Sequence, residues 1–241
     1  MSAPDAVGRL RECVARAERI TILTGAGVSA ASGVPTFRGA DGLWRMHRAE
    51  DLATPEAFRR DPRLVWEWYD WRRTLMAACR PNVAHDVLAR WTHERAATLI
   101  TQNVDGLHEL AGSRDVLRFH GSIWMLRCVS ACGRPEWEDR TAPLPELPPR
   151  CPDCGGLARP AVTWFGEVID PAVLRRCADA VQCDLFLSVG TSAVVYPAAG
   201  LLHAARAHGA FTVEINPAAT DASELVDLAI AWPAEEVLMG C

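Results

Sequence analysis

Short apolar runs in this 241-residue chain repeatedly hand over to residues with chemical capacity. Residues 97–101 lead into Gln102-Asn103-Val104-Asp105, residues 116–119 into His120-Gly121-Ser122, residues 185–189 into Gly190-Thr191-Ser192, and residues 211–215 into Asn216-Pro217. A fifth run, 20–24, opens onto GAGVSAASGVPTFRGADGLWR at residues 25–45. Amides, a carboxyl, an imidazole and glycine turns are the parts needed to hold a polar ligand and move a proton on it. One of them alone reads as a cap or a turn, and a lone histidine at a strand end reads as structural. Four run ends equipped in this way point to one shared site.

Residues 25–45 suggest what that ligand is. Gly25 and Gly27 allow a tight turn and the close approach of a pyrophosphate, and a helix expected to begin near Ser29 offers unpaired N–H groups at its positive end. Residues 25–30 fit G-x-G-x-x-G/A with Ala30 in the third position, although a glycine pair after a strand is also compatible with a plain turn. The pattern then departs from that of a dehydrogenase. Gly33 and Pro35 break the helix, and Phe37, Arg38, Gly39 and Asp41 follow as a loop. Hydride transfer has no evident use for such a loop, whereas an enzyme that encloses and cleaves the nicotinamide end of a dinucleotide does.

Four of the nine cysteines form a second constellation. Cys128 and Cys132 make C-x3-C, Cys151 and Cys154 make C-x2-C, and Gly133 and Gly155 follow the two pairs. Two such turns converge four thiolates on one tetrahedral zinc ion, with no position left open for catalysis. The first pair is one residue wider than the commonest knuckle spacing, which leaves Cys132 the open member of the set. The remaining cysteines are scattered and read as core or incidental residues.

The pattern between these groups names the elements that must position them. Runs 20–24, 97–101, 116–119, 185–189, 211–215 and 228–231 are expected strands, and 171–181 and 198–208 are expected helices between them. Such alternation predicts an α/β fold built on a doubly wound parallel sheet. Two segments interrupt it: 35–82, rich in Trp and Arg and mostly helical in pattern, and 127–160, which carries the cysteines. Residues 1–34, 83–126 and 161–241 are expected to form the large nucleotide-binding domain, and the two inserts a smaller module beside a cleft. With 49% hydrophobic residues and a net charge of −5, the chain can bury a sizeable core but offers no basic face for nucleic acid. Its first twenty residues are charged at helical spacing and contain no membrane-length apolar stretch, so a cytoplasmic protein, with no membrane partner, is expected. All 25 basic residues are Arg, so no lysine side chain is available for acylation.

Taken in order, these motifs resemble the sirtuins, NAD-dependent protein-lysine deacylases. The resemblance is carried by GAGVSAASGVPTFRG at 25–39, TQNVDGLH at 101–108, FHGS at 119–122, the four cysteines, WFGE at 164–167, GTS at 190–192 and EIN at 214–216, and it spans nearly the whole chain. It implies a Rossmann-like domain with a small zinc-and-helix module, NAD consumed as co-substrate, one structural zinc and acylated-lysine proteins as partners; a monomer is expected. It also implies roles. Gly25, Ala26, Gly27 and Ser29 would bind phosphates, with Phe37, Arg38 and Trp44 on the loop beside the nicotinamide ribose. Gln102, Asn103 and Asp105 would line the ribose and nicotinamide pocket, and Gly190, Thr191, Ser192, Asn216 and Ala234 the adenosine half. His120 would be the general base, near neutrality at physiological pH. Trp164, Phe165, Gly166 and Glu167 would lie against the substrate peptide, added as a strand between modules. In the mechanism so implied, the acyl oxygen attacks C1′ as nicotinamide leaves, and a ribose hydroxyl then takes the acyl group away on ADP-ribose.

The helical insert bears on which acyl group. Tyr69 and Arg72 in VWEWYDWRR are three apart and share a helix face, so a phenol and a guanidinium can enter one pocket, where Arg pairs bidentately with a carboxylate. By itself this also fits a surface Arg beside core aromatics. The pair resembles the Tyr-x-x-Arg of class III sirtuins, which implies a preference for succinyl and malonyl groups. A mono-ADP-ribosyltransferase on the same site, and a non-enzymatic zinc-ribbon contact protein, are the alternatives.

Overall fold

The computed structural model describes residues 3–35, 43–44, 47–192 and 194–241. Six strands form one sheet, in the spatial order Leu228–Ile230, Phe211–Ile215, Leu185–Val189, Arg19–Thr24, Ala96–Thr101 and Leu117–Arg118. Every neighbouring pair is parallel. The strands read as continuous apolar runs because both faces are covered. Ile20 and Ile22 pack under Leu10, Leu88 and Val237 from helices Ala3–Arg16, Val83–Glu94 and Ala234–Met239. Leu23, Ile100 and Phe186 face Cys177 and Leu202 from helices Pro171–Ala180 and Ala199–Ala207 on the other side. The α/β, doubly wound expectation is met. Asp184 pins the register at the lower end of the two central strands, its carboxylate accepting from the Glu18 and Arg19 N–H groups at 3.1 and 2.7 Å.

The expected helix from Ser29 is corrected. The chain instead enters a tight 3-10 helix three residues earlier, over Ala26–Ser32, and Gly33 ends it in the left-handed region at φ 86°. The tighter winding turns Val28 and Ser29 inward, so both are buried. A core of small residues, with only Val28 branched, permits it.

A second, antiparallel sheet sets Gly121–Cys128 between Trp137–Glu138 and Ala158–Val162. Its central strand starts at the residue after His120. Against it packs helix Pro62–Ala78, started by Pro62 and by the Asp61 side chain, which accepts from the Leu64 N–H at 2.9 Å. Val65, Trp66, Tyr69, Arg73 and Met76 form its buried stripe, and Trp66 donates its indole N–H to the Ala158 carbonyl at 2.8 Å. Arg73 is 0% exposed. Its guanidinium donates to the carbonyls of Asp139 and Thr141 and to the Asp139 carboxylate, tying the helix to the cysteine-bearing segment. Among the described residues no helix is long and apolar enough to cross a membrane.

Candidate active site

Strand Arg19–Thr24 lies between Leu185–Val189 and Ala96–Thr101, and the connections leave it in opposite directions. Crevices at such a switch point, beyond the carboxyl ends of the strands, are where open α/β sheets bind ligands. Here the crevice is floored by glycines packed backbone to backbone. Gly190 has φ 60°, and a Cβ on it would stand 2.4 Å from the Val28 nitrogen. A Cβ on Gly25 would stand 2.7 Å from the Thr191 Cβ, and one on Gly27 2.8 Å from the Gly190 Cα. The N–H groups of Gly25 and Gly27 donate to the carbonyls of Val189 and Gly190 at 3.0 and 2.8 Å. Gly25 and Gly27, expected to let a pyrophosphate approach closely, commit their own N–H groups to joining two strand ends. What they provide is the bare, closely packed floor on which half-buried Ala26 stands.

The strand-end amides stitch the same loops together. Gln102 donates its side-chain N–H to the Thr191 hydroxyl at 2.8 Å, Asn103 to the Gly25 carbonyl at 3.0 Å, and Asn216 to the Thr191 carbonyl at 3.1 Å. Ser192 is half-buried beside them. Ala234 begins the last helix and is buried in the cluster that contains Val28. Phe37 and Arg38 lie outside the described residues. Trp44 pairs through its backbone with His47 in a two-residue hairpin strand, and its side chain lies outside the description.

Beneath the crevice runs a buried polar chain whose direction can be read donor by donor. The Asn82 N–H donates to His85 Nδ1 at 3.3 Å, so that nitrogen carries no hydrogen and Nε2 does. His85 Nε2–H then donates to the Ser29 hydroxyl at 3.3 Å, and Ser29 donates to Asp105 Oδ2 at 2.8 Å. Asp105 Oδ1 accepts from the Leu107 N–H at 2.9 Å. Burial pushes the Asp105 carboxyl above the ordinary carboxylate range, against the pull of those donors. His108 sits 4.8 Å from His85, ring to ring, and bonds Thr24 at 2.9 Å. Burial lowers His85 to about 3 and His108 to about 4, so both are neutral.

His120 lies one strand further along. Its Nδ1 is 3.1 Å from the Gln102 carbonyl oxygen, which can only accept, so Nδ1 carries the hydrogen and Nε2 the lone pair. Burial lowers its pKa, partly offset by that bond. A half-buried imidazole with a fixed tautomer is equipped to take a proton at neutral pH.

Tyr69 and Arg72 do share a face of helix Pro62–Ala78. Tyr69 is buried between Trp66 and Trp68, ring centroids 6.3 and 4.6 Å away. Arg72 lies over the Trp68 ring at 5.0 Å. Burial lowers the Arg72 pKa, with Tyr69 and Asp105 the groups that oppose the shift. Of the WFGE segment, Phe165 presents a surface, at 50% exposed, and Gly166 turns at φ 85°. Trp164 is buried, and Glu167 is held bidentately by Arg159 at 2.6 and 2.9 Å.

The four cysteine sulfurs all lie within 4.8 Å of one another. Cys128 and Cys154 are 3.5 Å apart, and Cys132 and Cys151 3.7 Å, against roughly 3.8 Å for two thiolates on a tetrahedral zinc at about 2.3 Å. The extra residue of C-x3-C is taken up by Ala131, left-handed at φ 47°, which brings Cys132 back to the other three. The donor set fits zinc in a closed structural site. Native mass spectrometry is expected to find one zinc per chain, and chelation to lower the melting temperature by about 10 °C or more, since metal binding here is folding free energy. A metal-free chain with an unchanged melt would rule the site out.

Sequence reasoning passed over His85 and Arg159. His85 lies on the apolar face of its helix with Ala84 and Leu88, and a histidine on such a stripe, next to an Asn cap, was the available signal. Arg159 carried none, since its partner Glu167 becomes a neighbour only through the turn after the strand.

Comparison with known proteins adds family evidence. A model of the Sir2 family matches residues 25–197. The NAD-dependent protein deacylase of Aquifex aeolicus is 52% identical over 211 residues, which are 87% of each chain. A crystal structure of a Sir2 homolog–NAD complex superposes with a TM-score of 0.90 at 44% identity, covering 96% of this chain and 90% of the other. A Sir2 homologue mutant in complex with 2′-O-acetyl ADP ribose matches with a TM-score of 0.90 and 44% identity, covering 95% and 92%.

Proposed function

The chain belongs to the Sir2 family, and from that premise we propose that it removes acyl groups from protein lysine side chains with consumption of NAD, favouring acyl groups that end in a carboxylate. When bound, NAD supplies an electrophilic ribose carbon, from which nicotinamide departs. The protein's part is to hold and to deprotonate. The loops at Gly25–Gly27, Gly190–Ser192 and Asn216 cradle the phosphates and adenosine; Gln102, Asn103 and Asp105 line the ribose end. His120 Nε2 takes the proton of a ribose hydroxyl as it attacks the activated acyl carbon, which makes the second product 2′-O-acyl-ADP-ribose. Phe165 and its neighbours receive the peptide.

The observation that carries the acidic-acyl preference is the buried Tyr69 beside Arg72 on one helix, with Arg72 within electrostatic reach of Asp105 at the ribose end. A guanidinium kept in a partly dehydrated setting gains most from a carboxylate partner. The test is a set of acetyl-, malonyl-, succinyl- and glutaryl-lysine peptides incubated with NAD, with product masses read out. Faster removal of succinyl and malonyl than of acetyl, together with nicotinamide and acyl-ADP-ribose, is expected. Label transferred to protein without deacylation would favour an ADP-ribosyltransferase instead.

A further inference from the structure

We propose that Trp164 is a positioning residue for acyl selectivity: by donating its indole N–H to the Tyr69 hydroxyl, it directs that hydroxyl's hydrogen to the carboxylate of an acidic acyl group. This rests on the acidic-acyl reading of Tyr69 and Arg72 and goes one residue beyond it. The Nε1 to Oη distance is 2.8 Å, and an indole N–H has no acceptor capacity, so the phenol oxygen must accept. A phenol hydrogen lies near the ring plane with two orientations to choose from. A donor in one of them leaves the hydrogen the other. Among the described residues this is the one hydrogen bond of the Tyr69 hydroxyl, so its own hydrogen remains available to an incoming acceptor.

The donor itself is fixed. Arg159 lies over the Trp164 ring with its guanidinium carbon 3.3 Å from the centroid. Arg159 is in turn locked by both oxygens of Glu167 and by the Val162 carbonyl at 2.8 Å. Glu167 also accepts from the Trp164 backbone N–H at 2.9 Å, and Phe58 closes the other contact at 5.2 Å between ring centroids. Trp164 is 3% exposed and Tyr69 1%. The charged groups that face the phenol are Arg72, Arg159 and Glu167, and burial pushes its pKa up to about 12, so it keeps its hydrogen across the working pH range. Without the indole donor the hydroxyl is free to rotate, and it meets the carboxylate hydrogen-first only part of the time.

The test compares wild type, Trp164→Phe, Tyr69→Phe and the double variant on succinyl- and acetyl-lysine forms of one peptide. Both activities use the same site, so any loss of folded enzyme cancels in the ratio of their kcat/KM values. Phe keeps a ring against Phe58 and Arg159. Trp164→Phe is expected to lower the succinyl-to-acetyl ratio about fivefold to tenfold, with the loss in the succinyl KM. In the Tyr69→Phe background the same change is expected to lower it no further, because the indole acts through the hydroxyl. An unchanged ratio in Trp164→Phe, or an equal further fall in the Tyr69→Phe background, overturns the proposal. If Tyr69→Phe and Arg72→Met both leave the ratio at its wild-type value, the acidic pocket fails and this role fails with it.

Discussion

Arg72→Met is expected to cut kcat/KM for a succinyl-lysine peptide by about 10²- to 10³-fold while deacetylation falls far less. Truncating one partner of a buried, hydrogen-bonded charge pair costs about 2–5 kcal/mol, and each 1.4 kcal/mol is about tenfold. Half-buried Arg72 would join that class once an acyl carboxylate covers it; burial already presses its pKa down, with the neighbouring phenol and Asp105 working against the shift. Methionine retains the apolar stem over Trp68 and removes the charge, so the loss reports on the carboxylate and not on helix packing. Arg73 is the internal contrast. It is the fully buried arginine of the pair, but its Nη2 is engaged by Asp139 and Thr141, so its loss is a loss of fold. Equal damage to desuccinylation and deacetylation by Arg72→Met would falsify the acidic-acyl preference.

His120→Ala is expected to lower deacylation by about 10²- to 10⁴-fold, the usual contribution of a positioned general base. The pH profile gives an independent check. Burial holds the His120 pKa below its ordinary value, so kcat/KM should be flat through pH 7–8 and fall only as pH drops below about 6.5. That limb must be separated from unfolding. His85 and His108 are neutral in the fold with pKa values of about 3 and about 4, below the roughly 6.5 of the unfolded chain. The unfolded state therefore binds more protons, and the stability present above pH 6.5 is lost progressively as pH falls toward those values. Activity returning fully when the enzyme is brought back to pH 7.5 marks the reversible limb as His120. Full deacylation by His120→Ala would assign the base elsewhere.

The strand ends were legible because a strand buried on both faces must be a contiguous apolar run, and the residue after it is the first that can face a ligand. Residues 185–189 and 211–215 were read to the residue; 20–24 and 97–101 each gained one residue at the start, where Arg19 and Ala96 pair before the apolar run begins. The 3-10 helix was not legible, because small residues such as Gly25, Ala26 and Ala30 permit several windings and the choice is made by contact with Gly190. The partners that keep Gly25 and Gly27 glycine, Thr191 and Gly190, likewise lie far along the chain. Cys132 shows the converse, since its spacing looked wide until Ala131 took a conformation that spacing does not encode. The hydroxyl bond from Trp164 to Tyr69 joins two segments whose proximity depends on the whole second sheet.

Gln102 holds His120 with its backbone carbonyl and Thr191 with its side-chain amide. The His120 imidazole and the Gly190–Ser192 loop are therefore separated by the length of one residue. On the proposed assignment the crevice would act as a gauge: a molecule whose adenosine end seats at Gly190–Asn216 would deliver its other end to the imidazole at a set distance, and a shorter nucleotide filling the same cradle would stop before it.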